Sequence, residues 1–201
     1  MRRTVVSLAV AALAVAAAPA AFAASTLENL QAAYDGESNA RAKYLAFAKK
    51  ADEEGYARVA VLFRAAARAE EIHANNHAAV IAKLDSKPKA DLKAAEVKST
   101  AENLKAAIAG ESYERDTMYP EFLAQAKKDG NAAAVRTFNL AKTAEAEHAK
   151  LYASAADALQ TWKAAGGPIY VCPVCGYTTT ALPAEKCPAS FTAKERFEAV
   201  R

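Results

Sequence analysis

The chain has 201 residues, 24% of them charged, with a formal net charge of +3 and 55 alanines against only 7 glycines and 7 prolines. This length suits one medium domain or a domain with a small module, and the composition favours helices over a β-sandwich or a disordered chain. The weak charge gives no basic patch of the kind that indicates nucleic-acid binding, and three cysteines cannot all pair in disulfides.

The first 23 residues have the composition of an export signal. Two arginines precede an apolar stretch at residues 5–18, and residues 21–23 read Ala-Phe-Ala, a small-residue cleavage site. A membrane anchor is the alternative, but it needs about 20 apolar residues. Because Arg2-Arg3 also resembles a twin-arginine signal, both that route and the general secretory route stay open. We expect an exported, periplasmic protein that begins at Ala24 and has no membrane span.

Two similar halves follow the signal. Residues 28–38 (ENLQAAYDGES) and 102–112 (ENLKAAIAGES) are identical at eight of eleven positions. A capping box precedes each copy, and tight turns at residues 52–55 and 129–131 each contain a glycine. Each half is therefore interpreted as a helical hairpin. The predicted helices lie near residues 26–53, 56–83, 100–129 and 132–163.

The segment 84–98 joins the two hairpins. It contains Pro88 and several lysines and is too long for a hairpin turn, so it is interpreted as a crossover connection. Two hairpins with one long crossover describe a ferritin-like four-helix bundle, which we assign to residues 24–165. Pro120 lies inside the third helix, where it should kink the helix or remove a backbone hydrogen bond.

Glutamates and histidines recur in both halves at a spacing that matters chemically. In each Glu-x-x-His motif the two side chains lie side by side on one helix face. One such motif from each of two helices, with one glutamate from each of the other two, is the ligand set of di-iron and di-manganese bundles. Oxygen-rich ligation suits iron or manganese better than zinc. The alternative to a metal site is that these residues lie on the solvated surface. The residues are Glu37, Glu70, His73, Glu111, Glu145 and His148.

Four further side chains lie near this set in the sequence. Glu114 follows Glu111 by three residues and is a seventh candidate ligand. Tyr44 follows Glu37 and Tyr119 follows Glu111 by about two helical turns, and these phenols either orient ligands or fill the core. His77 has no nearby acidic partner in the sequence and is interpreted as a surface histidine.

Residues 166–201 form a predicted second unit. Cys172 and Cys175 form a Cys-x-x-Cys knuckle, and Cys187 begins a second knuckle in which Ser190 replaces the fourth cysteine. This spacing is typical of mononuclear iron or zinc sites. Four states stay open: iron with the Ser190 oxygen, zinc on three thiolates, water in place of Ser190, or a Cys172–Cys175 disulfide with Cys187 free. A metal is favoured because a unit of about 35 residues buries too little apolar surface to fold without a bound metal or a cross-link.

Together these motifs resemble the rubrerythrin family over residues 26–201. The matching motifs are Gly36-Glu37-Ser38, Glu70-x-x-His73, Gly110-Glu111-x-x-Glu114, Glu145-x-x-His148 and Tyr170-x-Cys172-Pro173-x-Cys175-Gly176-Tyr177 with Cys187-Pro188. The resemblance implies a non-haem di-iron centre and a rubredoxin-like module. The implied iron ligands are Glu37, Glu70, Glu111, Glu114, Glu145 and His148. His73 matches the ligand that, in the family, exchanges with Glu114 at one iron as the centre cycles.

The resemblance also implies a peroxidase that defends against oxidative stress. The reduced di-iron centre gives two electrons to hydrogen peroxide, and a rubredoxin-type centre returns electrons from a rubredoxin-like protein or a reductase. Members commonly form head-to-tail homodimers. The chain departs from the family pattern in its export signal and in Ser190. A ferroxidase or iron-binding protein without peroxidase turnover is the alternative, and a bundle used only for interaction would bind no metal tightly.

The export signal makes a direct prediction. Expression of the full chain in a Gram-negative host should place the mature protein in the periplasmic fraction, with Ala24 at its N-terminus, because residues 21–23 form the cleavage site. N-terminal sequencing of that fraction checks this. Recovery of uncleaved protein from the cytoplasm alone would contradict it.

Overall fold

Each half of the duplicated sequence folds as an antiparallel helical hairpin in the computed structural model, which describes residues 24–164 and 166–201. The helices are α1 (Thr26–Glu53), α2 (Ala57–Ala82), α3 (Thr100–Tyr113), α4 (Tyr119–Lys128) and α5 (Ala132–Asp157). The predicted signal at residues 1–23 lies outside the described residues. Among the described helices, none combines the length and the apolar character needed to cross a membrane.

The predicted helix starts and turns are confirmed by their local geometry. The side chains of Ser25 and Ser99 each accept a hydrogen bond from the backbone amide of the glutamate three residues on, and the carboxylate of that glutamate accepts one from the serine amide. The turns between paired helices use Gly55 at φ 76° and Gly130 at φ 69°. Only glycine adopts these left-handed angles without cost. The fourth predicted helix is wrong at its end, because α5 stops at Asp157 and turns occupy the next residues.

The crossover between the hairpins runs beside α1. Backbone amides of Asp91 and Lys93 donate to the side chains of Asp35 and Asn39 at 2.6 and 2.8 Å. Gln31 donates to the carbonyl oxygen of Lys87 at 2.8 Å. Because polar side chains of α1 satisfy its backbone, this long connection lies against the bundle without secondary structure of its own.

The third helix of the bundle, made of α3 and α4, contains one residue more than a regular α-helix would at the point where they join. A π-helical turn, Glu114–Met118, joins α3 to α4, and the Tyr119 amide donates to the Glu114 carbonyl five residues back. Pro120, the next residue, has no amide hydrogen to donate. The irregularity predicted at Pro120 is therefore present as a π turn directly before it. Such turns are frequent at functional sites.

Two apolar clusters fill opposite ends of the bundle. One contains the rings of Tyr44, Phe47, Phe63 and Tyr152 in contact with one another, and the other contains Tyr119 and Phe138. Fully buried alanines line both clusters. A band of buried polar side chains lies between them, at the level of Glu37, Glu70, Glu111 and Glu145. The bundle therefore has a polar centre between two apolar ends.

The C-terminal module is a three-stranded antiparallel sheet with strand order β2-β1-β3. Its strands are β1 (Ile169–Val171), β2 (Thr178–Thr179) and β3 (Glu198–Val200). Ile169 and Val171 are fully buried within the first apolar cluster of the bundle. Arg68 of α2 makes a two-pronged ion pair with Glu198 at 2.7 and 2.9 Å. The module is thus docked on the bundle of its own chain.

Candidate metal centres

Six side chains from four helices meet in the polar centre of the bundle, and none is more than 1% exposed. They are Glu37 from α1, Glu70 and His73 from α2, Glu111 from α3, and Glu145 and His148 from α5. Helical spacing places each glutamate and histidine pair on one face, as the sequence predicts. The structure therefore brings together six of the seven candidate ligands.

The six residues form two overlapping groups. Ligand atoms of Glu37, Glu70, His73 and Glu145 all lie within 4.8 Å of one another, and so do those of Glu70, Glu111, Glu145 and His148. Glu70 and Glu145 belong to both groups. Such sharing suits two metal ions bridged by two carboxylates, each ion with one imidazole.

The carboxylate oxygens and imidazole Nδ1 atoms that could bind metal lie close together but form no hydrogen bonds with one another. His73 Nδ1 lies 2.8 Å from a Glu70 oxygen and 2.9 Å from a Glu145 oxygen, yet these contacts lack hydrogen-bond geometry. The same is true of His148 Nδ1, 2.8 Å from Glu145. Eight such atoms have no hydrogen-bond partner among the described residues. They are Glu37 Oε2, both Glu70 oxygens, His73 Nδ1, Glu111 Oε2, both Glu145 oxygens and His148 Nδ1. Buried lone pairs that point at one another fit metal cations.

Both imidazoles are oriented by the C-terminal module. His73 Nε2 donates to the carbonyl oxygen of Cys175 at 2.9 Å, and His148 Nε2 donates to the Thr178 hydroxyl at 3.0 Å. A carbonyl oxygen only accepts, so Nε2 of His73 carries a hydrogen, and Nδ1, which lies beside the carboxylates, is the nitrogen left to bind a metal ion. A partner that fixes the tautomer in this way is usual for metal-binding histidines. No local sequence signal indicated these contacts.

Two phenols hold carboxylates of the opposite half. Tyr44 of α1 donates to Glu111, and Tyr119 of α4 donates to Glu37. Tyr44 follows Glu37 by seven residues and Tyr119 follows Glu111 by eight. The π turn contains the additional residue, so both phenols reach matching positions. Each phenol orients a carboxylate of the centre, which is one of the two roles predicted for them.

Glu114 stands apart from both groups. It begins the π turn and is only partly buried, whereas His73 lies inside its group. Burial and the charges of Glu37 and Glu111 raise the pKa of its carboxyl well above the usual value. His73 therefore lies inside a metal group and Glu114 lies outside both groups, yet near enough to Glu37 and Glu111 for their charges to act on its carboxyl.

The interpretation of His77 as a surface histidine is wrong. Its side chain is fully buried and its ring contacts Tyr119 and Phe138. The signal was present in the sequence, because a residue four positions after His73 lies on the same helix face. Its partners come from other helices, so the residues next to it in the chain did not reveal them.

Burial, together with mutual repulsion of the carboxylates, favours proton binding in the metal-free centre. Burial and then the charges of Glu70 and Glu145 raise the pKa of Glu111 to about 8. Burial, with the same two neighbours, also raises the pKa of Glu37 well above its usual value. Burial lowers the pKa of His73, but the adjacent Glu145 and Glu70 outweigh it and raise the pKa overall. A centre with these shifts favours bound cations, which would displace the protons.

The module gathers its three cysteines in a second buried cluster. Cys172, Cys175 and Cys187 are fully buried free thiols, with their sulfurs within 4.8 Å of one another. The disulfide considered for Cys172 and Cys175 is not formed. Ser190 Oγ lies 3.3 Å from Cys172 Sγ and 2.8 Å from Thr192 Oγ1. Three thiols thus form a cluster of the kind that holds one metal ion, with the Ser190 hydroxyl beside it.

The second knuckle keeps the backbone of the first. The Gly176 amide donates to the Cys172 carbonyl at 2.9 Å, and the Phe191 amide donates to the Cys187 carbonyl at 3.0 Å. Gly176 has φ 72° and Phe191 has φ 60° at the matching position. A left-handed angle is unusual for phenylalanine. The turn that would present a fourth cysteine therefore presents the Ser190 hydroxyl instead.

Gly176 also belongs to the contact between the module and the bundle. A Cβ atom added there would lie 2.3 Å from His73 Nε2 and 3.1 Å from Ala69 Cβ. Only glycine permits both the left-handed angle and the close approach of the knuckle to the imidazole. Fold and sites together define a class of protein, namely a ferritin-like bundle with a dinuclear carboxylate and histidine centre and a cysteine module beside it.

Comparison with known proteins agrees with this class. A family model described as Rubrerythrin matches residues 28–156. Nigerythrin of Nitratidesulfovibrio vulgaris is 42% identical over 176 residues, which cover 87% of this chain and 86% of that protein. Rubrerythrin-2 of Clostridium acetobutylicum is 39% identical over 179 residues, 88% of this chain and 97% of that protein. The chain belongs to the rubrerythrin family.

Solved structures confirm the fold. A structure of nigerythrin in a mixed-valence state has a TM-score of 0.83 at 39% identity and covers 90% of this chain and 88% of its own. A bacterioferritin of Desulfovibrio desulfuricans, at 22% identity and a TM-score of 0.63, covers 68% of this chain and 80% of its own and shares the fold alone. The predicted ferritin-like bundle is thus confirmed. Family membership supports a di-iron protein of oxidative-stress defence, an oxidoreductase in general kind.

The raised carboxyl pKa values predict how the metal-free protein responds to pH. Glu111 has a pKa of about 8 in the fold against a usual value of 4.5, so its contribution to stability is complete below 4.5 and is lost as the pH rises through 8. Chelator-treated protein should therefore lose free energy of unfolding between about pH 5 and pH 8, at most about 1.4 kcal/mol per pH unit for each such group. Urea unfolding across this range measures it.

Metal-loaded protein is the control for this measurement. It should lack the decline, because cations keep the carboxylates ionised, and metal addition at pH 7 should release protons to a dye. Stability of the chelated protein that is constant or rises with pH over this range would contradict the prediction.

Proposed function

We propose that this chain is a di-iron peroxidase that reduces hydrogen peroxide to water and receives its electrons through the cysteine module. The observation that carries this proposal is the position of His73. Its Nδ1 lies among the carboxylates of the centre, and its Nε2 donates to the carbonyl of Cys175 at 2.9 Å. One side chain therefore joins the reacting centre to a second redox-capable site. A protein that only oxidises or stores iron has no use for such a link.

The eight buried donor atoms without hydrogen-bond partners fit two metal ions. Two bound ferrous ions would supply both electrons that peroxide needs at one place, so that no radical is released. Manganese is the alternative metal for the same donors. The proposed ligands are Glu37, Glu70, His73, Glu111, Glu145 and His148, and Glu114 is the proposed replacement for His73 when the charge of the centre changes.

The protein side chains fix the orientation of the ligands and keep water out of the centre. Tyr44 and Tyr119 hold one oxygen each of Glu111 and Glu37, so these carboxylates cannot rotate freely. Both apolar clusters close the centre from above and below and exclude bulk water. Within such a site, charge interactions are stronger than in water.

Electrons would enter along a short covalent path. Cys175 contributes its sulfur to the cysteine site and its carbonyl oxygen to His73, so only the residue itself and one hydrogen bond separate the two centres. The contact is made within one chain. A head-to-tail homodimer and a rubredoxin-like protein or reductase as donor stay predictions. Export to the periplasm is likewise proposed from residues 1–23.

We propose further that the cysteine site holds one iron ion on Cys172, Cys175, Cys187 and the Ser190 oxygen, with zinc as the alternative. Ser190→Ala should shift the thiolate-to-iron absorption bands and weaken iron binding roughly tenfold, since a ligand is lost. Visible spectra and metal analysis of both proteins measure this.

Ser190→Cys is the matched variant, and it should strengthen the same bands because it restores a fourth thiolate. Identical spectra for Ser190→Ala and the unaltered protein would show that water, not Ser190, completes the site. One zinc per chain in protein from its native compartment would show that electrons arrive by another path.

The peroxidase proposal predicts a fast reaction in the reduced, iron-loaded protein. Stopped-flow mixing with hydrogen peroxide should oxidise the centre at least 100-fold faster than in Glu70→Ala, because Glu70 belongs to both metal groups. Absorbance of the oxidised centre follows the reaction.

Cys172→Ala separates the two parts of the proposal. It should react like the unaltered protein when chemically reduced beforehand, but lose turnover supported by an external electron donor. Equal rates for the unaltered protein and Glu70→Ala would reject the peroxidase. Iron uptake far beyond three atoms per chain would favour storage instead.

A further inference from the structure

A second series of buried polar groups leads from the dinuclear centre to a surface cavity that Val174 of the module also lines. His77 is fully buried, lies one helical turn beyond His73 and belongs to neither metal group. Its Nε2 lies 3.1 Å from the Tyr119 hydroxyl, which donates to Glu37. Its Nδ1 lies 3.2 Å from the hydroxyl of Thr137. Four side chains from four helical elements are thus connected in series.

The hydrogen bonds in this series all point in one direction. An ionised Glu37 only accepts, so Tyr119 donates to it, and the Tyr119 oxygen must then accept from His77 Nε2. Burial and the neighbouring His73 lower the pKa of His77 to about 3, so its ring is neutral and its other nitrogen is an acceptor. Thr137 therefore donates to Nδ1. Each donor faces the dinuclear centre.

The outer end of the series reaches a surface cavity. Thr137 is 5% exposed and lines a cavity of about 240 Å³ between α2 and α5. Asn76, Lys83 and Arg136 line the same cavity, which is large enough for several water molecules. Thr137 therefore lies between solvent and the buried imidazole.

The other half of the duplicated sequence has no such path. Tyr152 follows His148 by four residues, as His77 follows His73, and its ring packs 5.6 Å from Tyr44. Its hydroxyl has no hydrogen-bond partner among the described residues, and Phe63 packs against its ring. The phenol that holds Glu111 is therefore backed by an apolar cluster, while the phenol that holds Glu37 is backed by His77. In the second half, the buried tyrosine Tyr152 fills this position. Packing alone therefore does not explain why the first half has the histidine His77 there.

We propose that Thr137, His77 and Tyr119 form a proton relay from this cavity to Glu37. The proposal rests on the proposed peroxide reduction, in which two electrons and two protons convert one hydrogen peroxide into two water molecules. Protons must enter a site that apolar clusters close on both sides, and this series of hydrogen bonds provides an entry.

One passage moves one proton and no electron. A hydronium ion in the cavity gives a proton to the Thr137 oxygen and becomes water, as the hydroxyl proton of Thr137 moves to His77 Nδ1. The proton on Nε2 moves to the Tyr119 oxygen, and the phenolic proton moves to Glu37. Reorientation of the hydroxyl groups and the imidazole then restores the original hydrogen bonds. The electrons come separately from the reduced centre.

Thr137→Val tests the relay because it removes one hydroxyl group and keeps the shape of the side chain. Thr143→Val is its matched control, since Thr143 lies on the same helix and is exposed, and its hydroxyl group donates, among the described residues, only to the Asn139 carbonyl. Reduced, iron-loaded proteins are mixed with hydrogen peroxide in the presence of a pH-indicator dye. Thr137→Val should take up protons and oxidise its centre roughly tenfold or more slowly than the unaltered protein, and Thr143→Val should match the unaltered protein.

A second measurement needs no turnover. In zinc-loaded, ¹⁵N-labelled protein, the two ring nitrogens of His77 should show the tautomer with hydrogen on Nε2, and exchange of that hydrogen with water should slow about tenfold or more in Thr137→Val. Hydrogen on Nδ1, or rates and exchange in Thr137→Val equal to those of the unaltered protein, would overturn the relay. Failure of the unaltered protein to react with peroxide would reject the proposed function instead, and the NMR exchange would then decide the relay alone.

Discussion

The structure depends on the burial of four glutamates that face one another in the middle of a helical bundle. An ionised carboxylate removed from water costs several kcal/mol unless it is paired, and two imidazoles cannot balance four carboxylates. Among the described residues, no lysine or arginine forms an ion pair with any of the four glutamates, whose ion-pair partners are histidines. Bound cations would neutralise this excess negative charge. The apolar clusters on each side strengthen the repulsion because they keep bulk water away from the carboxylates. Spacing of the glutamates, direction of the imidazoles and placement of the phenols all follow from holding such cations.

The internal duplication explains how two similar metal positions arose, and the differences between the copies explain how the positions differ. Both halves contain Glu-x-x-His and a phenol that reaches across to the other half. Only the second half has the π turn with Glu114, and only the first has a histidine one turn beyond its ligand pair. A nearly symmetric scaffold therefore carries two asymmetric additions on the same side of the centre, around Glu37 and His73.

Much of this could be predicted from sequence because the signals are local. Capping boxes, glycine turns and Glu-x-x-His spacing depend on residues within a few positions, and they predicted four helices and six side chains that the structure brings together. The errors concern signals that are absent or distant. No glycine or proline marks the end of α5 at Asp157, and the partners of His77 come from other helices. The docking of the module was not predicted, since it uses backbone carbonyls that every residue possesses.

The hydrogen bond from His73 to the Cys175 carbonyl links the folding of the module to the occupancy of the bundle. This hydrogen bond holds the hydrogen on Nε2 and leaves Nδ1 to bind a metal ion. It should therefore be more stable when Nδ1 is bound to metal. Thermodynamic linkage is reciprocal: whatever factor docking adds to the affinity of the dinuclear centre, metal binding adds to the stability of the docked module. Ions bound in the bundle would thus help to hold in place a cysteine knuckle that they never touch, and the chain would assemble its two candidate metal sites as one cooperative unit.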